Sequence, residues 1–282
     1  MTRVGAVGFL NARPLYEGLC RHPGIVLRED VPSVCARLLH AGDIDLGLVP
    51  VIELLRGDTA YAVAPGLAIG CDGAVNSVAL FTHRPLAQVR RIALDVNSRS
   101  SVGLVRVLCR HHFGIAPEFV DAPPHLPAML EAADAALLIG DPALQAPFEA
   151  VGATKIDLGS AWKDFTGLPF VFAVWAARPG VLTPDILADL HAARRAGEAA
   201  IPRLAAAEAG GDPTRAAVLE RYLRRNIRYD LDEAALRGLT RYLALAVHDG
   251  LAHDRPEALR AIEALRPAPP TGARAGETLA GR

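Results

Sequence analysis

The sequence predicts an α/β protein built as a two-lobed clamp, with two crossover segments between the lobes and a set of C-terminal helices. Three observations carry this. Strand-like and helix-like runs alternate over the first 60 residues and again from Val89 onward, the rhythm of parallel sheets covered by helices. A strand-rich patch between Ala60 and Thr82 interrupts that rhythm and marks a domain edge. Beyond Thr183 the chain reads as helix.

In order, Val4–Phe9 is a strand and Pro14–Arg21 a helix, with proline near its first turn, where a missing N–H costs nothing. Ile25–Arg28 is a strand, Pro32–Ala41 a helix, Leu46–Val49 a strand and Pro50–Leu55 a helix start. Ala60–Ala64, Leu67–Gly70 and Val75–Thr82 follow as strands, with Cys71-Asp72-Gly73-Ala74 as a hairpin-like turn. The second lobe runs strand Arg91–Asp95, helix Ser101–Phe113, strand Glu118–Val120, helix His125–Ala132, strand Ala135–Ile139 and helix Pro142–Ala146. It closes with Ile156–Leu158 and a buried strand ending near Ala176. Val75–His83 and Phe170–Ala177 are the expected crossovers. Helices are expected over 184–208, 213–224, 232–249 and 255–265, and the Pro/Gly/Ala-rich stretch 267–282 reads as a frayed tail. The lobes are then 1–83 with 177–266, and 84–176.

Composition removes several function classes. An apolar content of 51% fills real cores, and 30 basic against 31 acidic residues, interspersed, leave no basic face for a phosphate backbone. DNA and RNA are therefore not expected partners. Lys155 and Lys163 are the two lysines, and neither suggests a Schiff base. Cys20, Cys35, Cys71 and Cys109 are scattered singly and read as small hydrophobes. The histidines show no metal-ligand spacing, and adjacent His111 and His112 point to different sides of a helix, so no metal is expected. The N-terminus passes straight into a strand and no run is long enough to span a membrane, so a cytoplasmic protein without membrane contact is expected.

Ligands of two-lobed α/β folds sit at the carboxyl ends of strands and the amino ends of helices. Ser98-Arg99-Ser100-Ser101 occupies such a strand-to-helix turn, where unpaired N–H groups and the helix dipole favour a carboxylate or phosphate. An ordinary serine cap is the competing reading. Asn11, before Pro14, ends the first strand with an amide that both donates and accepts, or serves as a turn residue. Ser77 sits at the crossover, where it is either a hinge contact or a strand-edge serine. Gly140 permits close approach to a ligand, and Asp141 before Pro142 is a ligand contact or, more simply, an N-cap. Thr166 precedes the returning strand, and Trp162 offers a flat ring to a ligand or to lobe packing. No nucleophile–base pair, P-loop, dinucleotide motif or zinc signature accompanies them. Amides and hydroxyls without strong acids or bases suit anion binding, or chemistry in which the substrate supplies its own base.

Six segments in order, Gly5–Pro14, Leu46–Glu53, Cys71–Phe81, Ala93–Ser101, Ala136–Leu144 and Leu158–Trp175, resemble the chorismate dehydratases of the futalosine route to menaquinone. The resemblance implies a type 2 periplasmic-binding-protein-like fold and a hydro-lyase without cofactor. It further implies that chorismate, a dicarboxylate, loses water to give 3-[(1-carboxyvinyl)oxy]benzoate, with the enolpyruvyl carboxylate of the substrate as base. Carried onto this chain, Asn11 orients the reacting groups, while Ser77 and Ser98–Ser101 hold carboxylates. Gly140, Asp141 and Thr166 complete the substrate-binding set. The family commonly has Tyr-Leu-Asn where this chain has Phe9-Leu10-Asn11, which matters if the missing hydroxyl takes part in catalysis. Three other readings stay open: an enzyme like 1,4-dihydroxy-6-naphthoate synthase, whose catalytic histidine is replaced here by Gly140-Asp141; an exported solute-binding protein; and a cytoplasmic sensor. A homodimer through the C-terminal helices is also left open.

Overall fold

A computed structural model describes residues 1–265. Two five-stranded mixed sheets form its frame. The first contains β1 (Thr2–Val7), β2 (Ile25–Asp30), β3 (Leu46–Pro50), β4 (Ala62–Cys71) and β10 (Phe170–Ala177) in the order β2-β1-β3-β10-β4. The second contains β5 (Val78–Thr82), β6 (Arg91–Asp95), β7 (Glu118–Ala122), β8 (Ala135–Ile139) and β9 (Thr154–Asp157) in the order β7-β6-β8-β5-β9. In each sheet one central strand pairs in parallel on both sides, β1 with β2 and β3, and β6 with β7 and β8. The antiparallel members β10 and β5 are the strands next to the crossovers. The chain leaves the first sheet after β4 and returns to it on β10, the clamp topology expected from sequence.

Helix α1 (Pro32–Ala41) matches its expected limits, because Pro32 opens it and Gly42, at φ 78°, closes it. Helices α6 (Pro184–Ala209), α7 (Pro213–Arg225), α8 (Glu233–His248) and α9 (Pro256–Glu263) lie within two residues of expectation at every end. In the second lobe α2 (Ser100–Leu108), α3 (Leu126–Ala132) and α4 (Gly140–Leu144) alternate with strands, and α5 (Leu158–Thr166) carries the return crossover.

Several expectations are corrected. Pro14–Arg21 is not an α-helix: tight 3₁₀ turns span Leu10–Leu15 and Leu19–Arg21, separated by Gly18 in the left-handed region at φ 87°. Val51–Leu55 is likewise a 3₁₀ turn. The two short strands expected at 60–70 are the single β4, whose irregular register against β10 absorbs Gly66 at φ 75°. Val75–Asn76 is not strand, since Asn76 has φ 64°, and Cys71–Ala74 is no hairpin because β4 and β5 belong to different sheets. The helix expected to reach Phe113 changes to a wider π-turn at Cys109–Phe113. Helix α5 was not expected at all. The tail expectation for 267–282 lies outside the described residues.

Candidate active site

Between the sheets lies a cavity of ≈ 510 Å³ of atom-free space, its mouth included. Apolar walls come from Phe9, Ile69, Val75, Val78 and Phe172, and polar groups from Asn11 and Ser98–Ser101. Arg99 is the single formal charge on this lining, and no carboxylate, histidine or lysine joins it among the described residues.

The serine turn follows from the end of β6. Asp95 accepts the Asn97 N–H at 2.9 Å, and its own carbonyl accepts the Ser98 N–H at 3.0 Å, which turns the chain into α2. Arg99 is the residue before the helix and no side chain caps it, so the serine-cap reading does not hold. The first-turn N–H groups of α2 are therefore without a side-chain cap, and the residues that open the helix, Ser98–Ser101, line the cavity. Ser98 is 4% exposed and its hydroxyl has no partner. Ser100 is engaged by the first lobe, accepting the Ile52 N–H on its hydroxyl at 3.3 Å and the Tyr242 hydroxyl on its carbonyl at 2.9 Å. Ser33 N–H donates to the Asn97 carbonyl at 3.2 Å, a third bond from the first lobe to this turn. Gly103 is required here, because a Cβ would enter the space of Tyr242 Oη and stand 2.9 Å from Ile52 Cδ1.

Behind the turn, Asp95 is 1% exposed, and burial pushes its carboxyl up to about 6 against the pull of the Asn97 N–H. One of its oxygens has no partner.

Asn11 reaches the opposite side of the cavity from the 3₁₀ turn that follows β1. Phe9 packs directly on Gly140: a Cβ there would lie 2.5–2.7 Å from the Phe9 ring, and φ is 61°. The Gly140 N–H donates to the Ser77 carbonyl at 2.7 Å. Ser77 itself is fully buried just behind Val75 and Val78, with an unpartnered hydroxyl. The crossover that carries it is fixed by Asp157, which accepts the Val75 and Asn76 N–H groups at 3.1 and 2.6 Å.

Asp141 is neither an N-cap nor on the cavity lining. It lies inside α4, which starts at Gly140 after Ile139, and both its oxygens face the Leu10 N–H of the other lobe at 3.1 and 3.2 Å. Burial raises its pKa to about 6, while the Leu10 N–H works in the other direction. Thr166 and Trp162 lie away from the cavity. Thr166 donates to the Trp162 carbonyl at 2.8 Å and accepts the Leu168 N–H at 3.2 Å. Trp162 is fully buried, donates to the Pro169 carbonyl at 3.1 Å and packs edge-on against Phe170 and Tyr242.

The residues that sequence reading missed, Phe172, Tyr222 and Tyr242, come from the return strand and the C-terminal helices. No motif marks them, and only packing brings them near Asn11 and Ser100. Away from the cavity, His111, His248 and Asp249 place ligand atoms within 4.8 Å of one another. Asp249 there accepts from both histidines, at 2.9 and 3.0 Å, and from Arg110 at 3.2 Å. The Asp249 carboxylate is thus shared among two imidazoles and a guanidinium. No helix among the described residues is long and apolar enough to cross a membrane.

Comparison with known proteins places this geometry. The chain is 32% identical over 252 residues to the chorismate dehydratase of Thermus thermophilus, covering 84% of this chain and 92% of the relative. Protein AF1704 from Archaeoglobus fulgidus superposes with a TM-score of 0.71 at 18% identity, covering 89% of this chain and 98% of that one. The periplasmic aliphatic sulphonate binding protein SsuA from Escherichia coli does so with a TM-score of 0.63 at 17% identity, covering 92% and 96%. These likenesses show the periplasmic-binding-protein-like fold. A family model described as menaquinone biosynthesis matches residues 2–248, and the chain belongs to that family.

Proposed function

We propose that the chain dehydrates chorismate to 3-[(1-carboxyvinyl)oxy]benzoate, as a hydro-lyase of the futalosine route that uses no cofactor. The observation that carries this is the cavity lining: one guanidinium, uncapped helix N–H groups and hydroxyls, with no protein base. Such a lining holds carboxylates and leaves proton abstraction to the substrate. In the reaction one ring C–H and the C–O bond to the hydroxyl break, a ring double bond forms and water leaves. The substrate's enolpyruvyl carboxylate takes the ring proton. Aromatisation supplies the driving force, so the protein's task is to hold the ring and its side chain in register.

In this reading Asn11 orients the reacting groups. Arg99, Ser98, Ser101 and the α2 N-terminus grip one carboxylate, a helix-end interaction of about 0.3–2 kcal/mol. Ser100 divides its hydroxyl between substrate and Ile52. Ser77 supports the site from behind the wall, Gly140 admits the Phe9 ring, and Asp141 ties the Asn11 turn to the second lobe. Thr166 is not part of this binding set, because its hydroxyl donates to the Trp162 carbonyl and accepts the Leu168 N–H. The two bodies that would close on substrate are built on the two sheets, the second running from β5 to α5 (78–166) and the first comprising the remainder. A cytoplasmic setting is supported by four free cysteines.

The test is to incubate the purified protein with chorismate in chelator-treated buffer and follow the aromatic enolpyruvyl ether by absorbance and chromatography. Catalytic formation of that product supports the proposal. Saturable binding without product overturns it and leaves an anion-binding protein.

A further inference from the structure

The C-terminal helices contribute more than a scaffold. The end of α7 is fastened to the β4–β5 crossover, with Asn226 Nδ2 donating to the Ala74 carbonyl at 2.8 Å. Just beyond, Gly70 and Arg228 exchange backbone hydrogen bonds of 2.9 and 2.8 Å. This docking drives Tyr222 into the interior, where it is 2% exposed and its hydroxyl faces the Ser77 hydroxyl and the Asn11 amide. Three polar groups from distant parts of the chain therefore meet behind the cavity wall, and Asn11 alone of the three lines the cavity.

Their hydrogen bonding is incomplete. Tyr222 Oη and Ser77 Oγ are both sealed from solvent and neither has a partner. A buried hydroxyl left unpaired costs about 1–3 kcal/mol, and phenylalanine would fill the same space without that cost. Packing alone therefore gives no reason for the hydroxyl. Desolvation raises the Tyr222 pKa far above that of a free phenol, so the group remains a proton-bearing donor at any working pH.

We propose that Tyr222 is a positioning residue that acts through Asn11. With substrate in place, the Ser77 hydroxyl donates to Tyr222 Oη and the Tyr222 hydroxyl donates to Asn11 Oδ1. The Asn11 amide is then fixed with its Nδ2 donors toward the ligand. This ordering satisfies each hydroxyl once as donor and removes the choice between the two amide orientations. It rests on the reading of Asn11 as the group that orients chorismate.

The experiment is a double-mutant cycle with Tyr222→Phe, Asn11→Ala and the pair, measured with chorismate alongside the wild type. Tyr222→Phe should lower kcat about 10- to 100-fold with KM within about twofold, and leave the Tm unchanged or slightly raised. In the Asn11→Ala background the same change should have almost no further effect, because the residue through which Tyr222 acts is gone. A Tyr222→Phe enzyme with wild-type kcat overturns the proposal, as do losses that multiply in the pair. A fall in kcat matched by a fall in Tm shows a structural role and overturns it too. Wild-type protein that leaves chorismate intact sinks the functional reading and this proposal with it, whereas an active wild type with an equally active Tyr222→Phe sinks this proposal alone.

Discussion

Replacing Asp141 with asparagine should stabilise the protein in a pH-dependent way. Asp141 is drawn into the space between the lobes to accept the Leu10 N–H, and burial raises its pKa from 3.8 to about 6. The folded chain therefore holds a proton that the unfolded chain has already released, and stability falls as pH rises from about 4 to about 6. At 1.36 kcal/mol per pKa unit the full penalty is about 3 kcal/mol, complete by pH 7 and nearly absent below pH 4. Asparagine has the shape of the protonated acid and keeps an oxygen for the Leu10 N–H, without a charge to bury. Urea unfolding of Asp141→Asn and wild type in parallel should give a difference near 1 kcal/mol at pH 4.5, rising to about 3 kcal/mol at pH 7. Asp95, also raised to about 6, titrates in both proteins and cancels in that difference. A difference that is constant with pH, or an asparagine variant less stable than wild type at pH 7, would refute the reasoning.

Three further outcomes are expected. Gly140→Ala adds a Cβ within 2.5–2.7 Å of the Phe9 ring at a residue with φ 61°, so unfolding should show a loss of about 2–4 kcal/mol and turnover should fall as Phe9 is displaced. Ser98→Ala removes a buried hydroxyl with no protein partner, so KM for chorismate should rise several-fold while Tm stays within about 2 °C of wild type; a lowered Tm with unchanged KM would return Ser98 to a structural role. Asn11→Ala should depress kcat far more than stability, and equal loss of both would make Asn11 a turn residue only.

The fold was largely legible because its punctuation is local. Pro32 and Gly42 bound α1, and prolines open α6, α7 and α9, so these helices could be delimited without tertiary information. The reading failed where tertiary context overrides local pattern. Pro14 suggests a helix start, but the chain there is held in a 3₁₀ turn between Asp141 and α6, whose Gly197 lies against the Pro14 carbonyl. Crossovers and hairpins leave the same turn signature at Cys71–Ala74, and only sheet membership separates them. For the site, Ser98–Ser101 and Asn11 could be picked out because strand ends and helix starts are visible in sequence. Asp141 was visible as a residue but not as a bond to Leu10, which spans 131 positions. Tyr222 and Tyr242 are invisible in principle, since an ordinary helical tyrosine reveals nothing about which carbonyl or amide it faces.

The central claim is that this cavity brings no base of its own and turns over a substrate that carries one. The most direct measurement compares chorismate with its methyl ester at the enolpyruvyl carboxylate, using wild-type protein under identical conditions. The account predicts that chorismate is converted to the aromatic ether, while the ester binds as a competitive inhibitor and is not converted. Conversion of the ester at a rate comparable to chorismate would contradict it and assign proton abstraction to the protein.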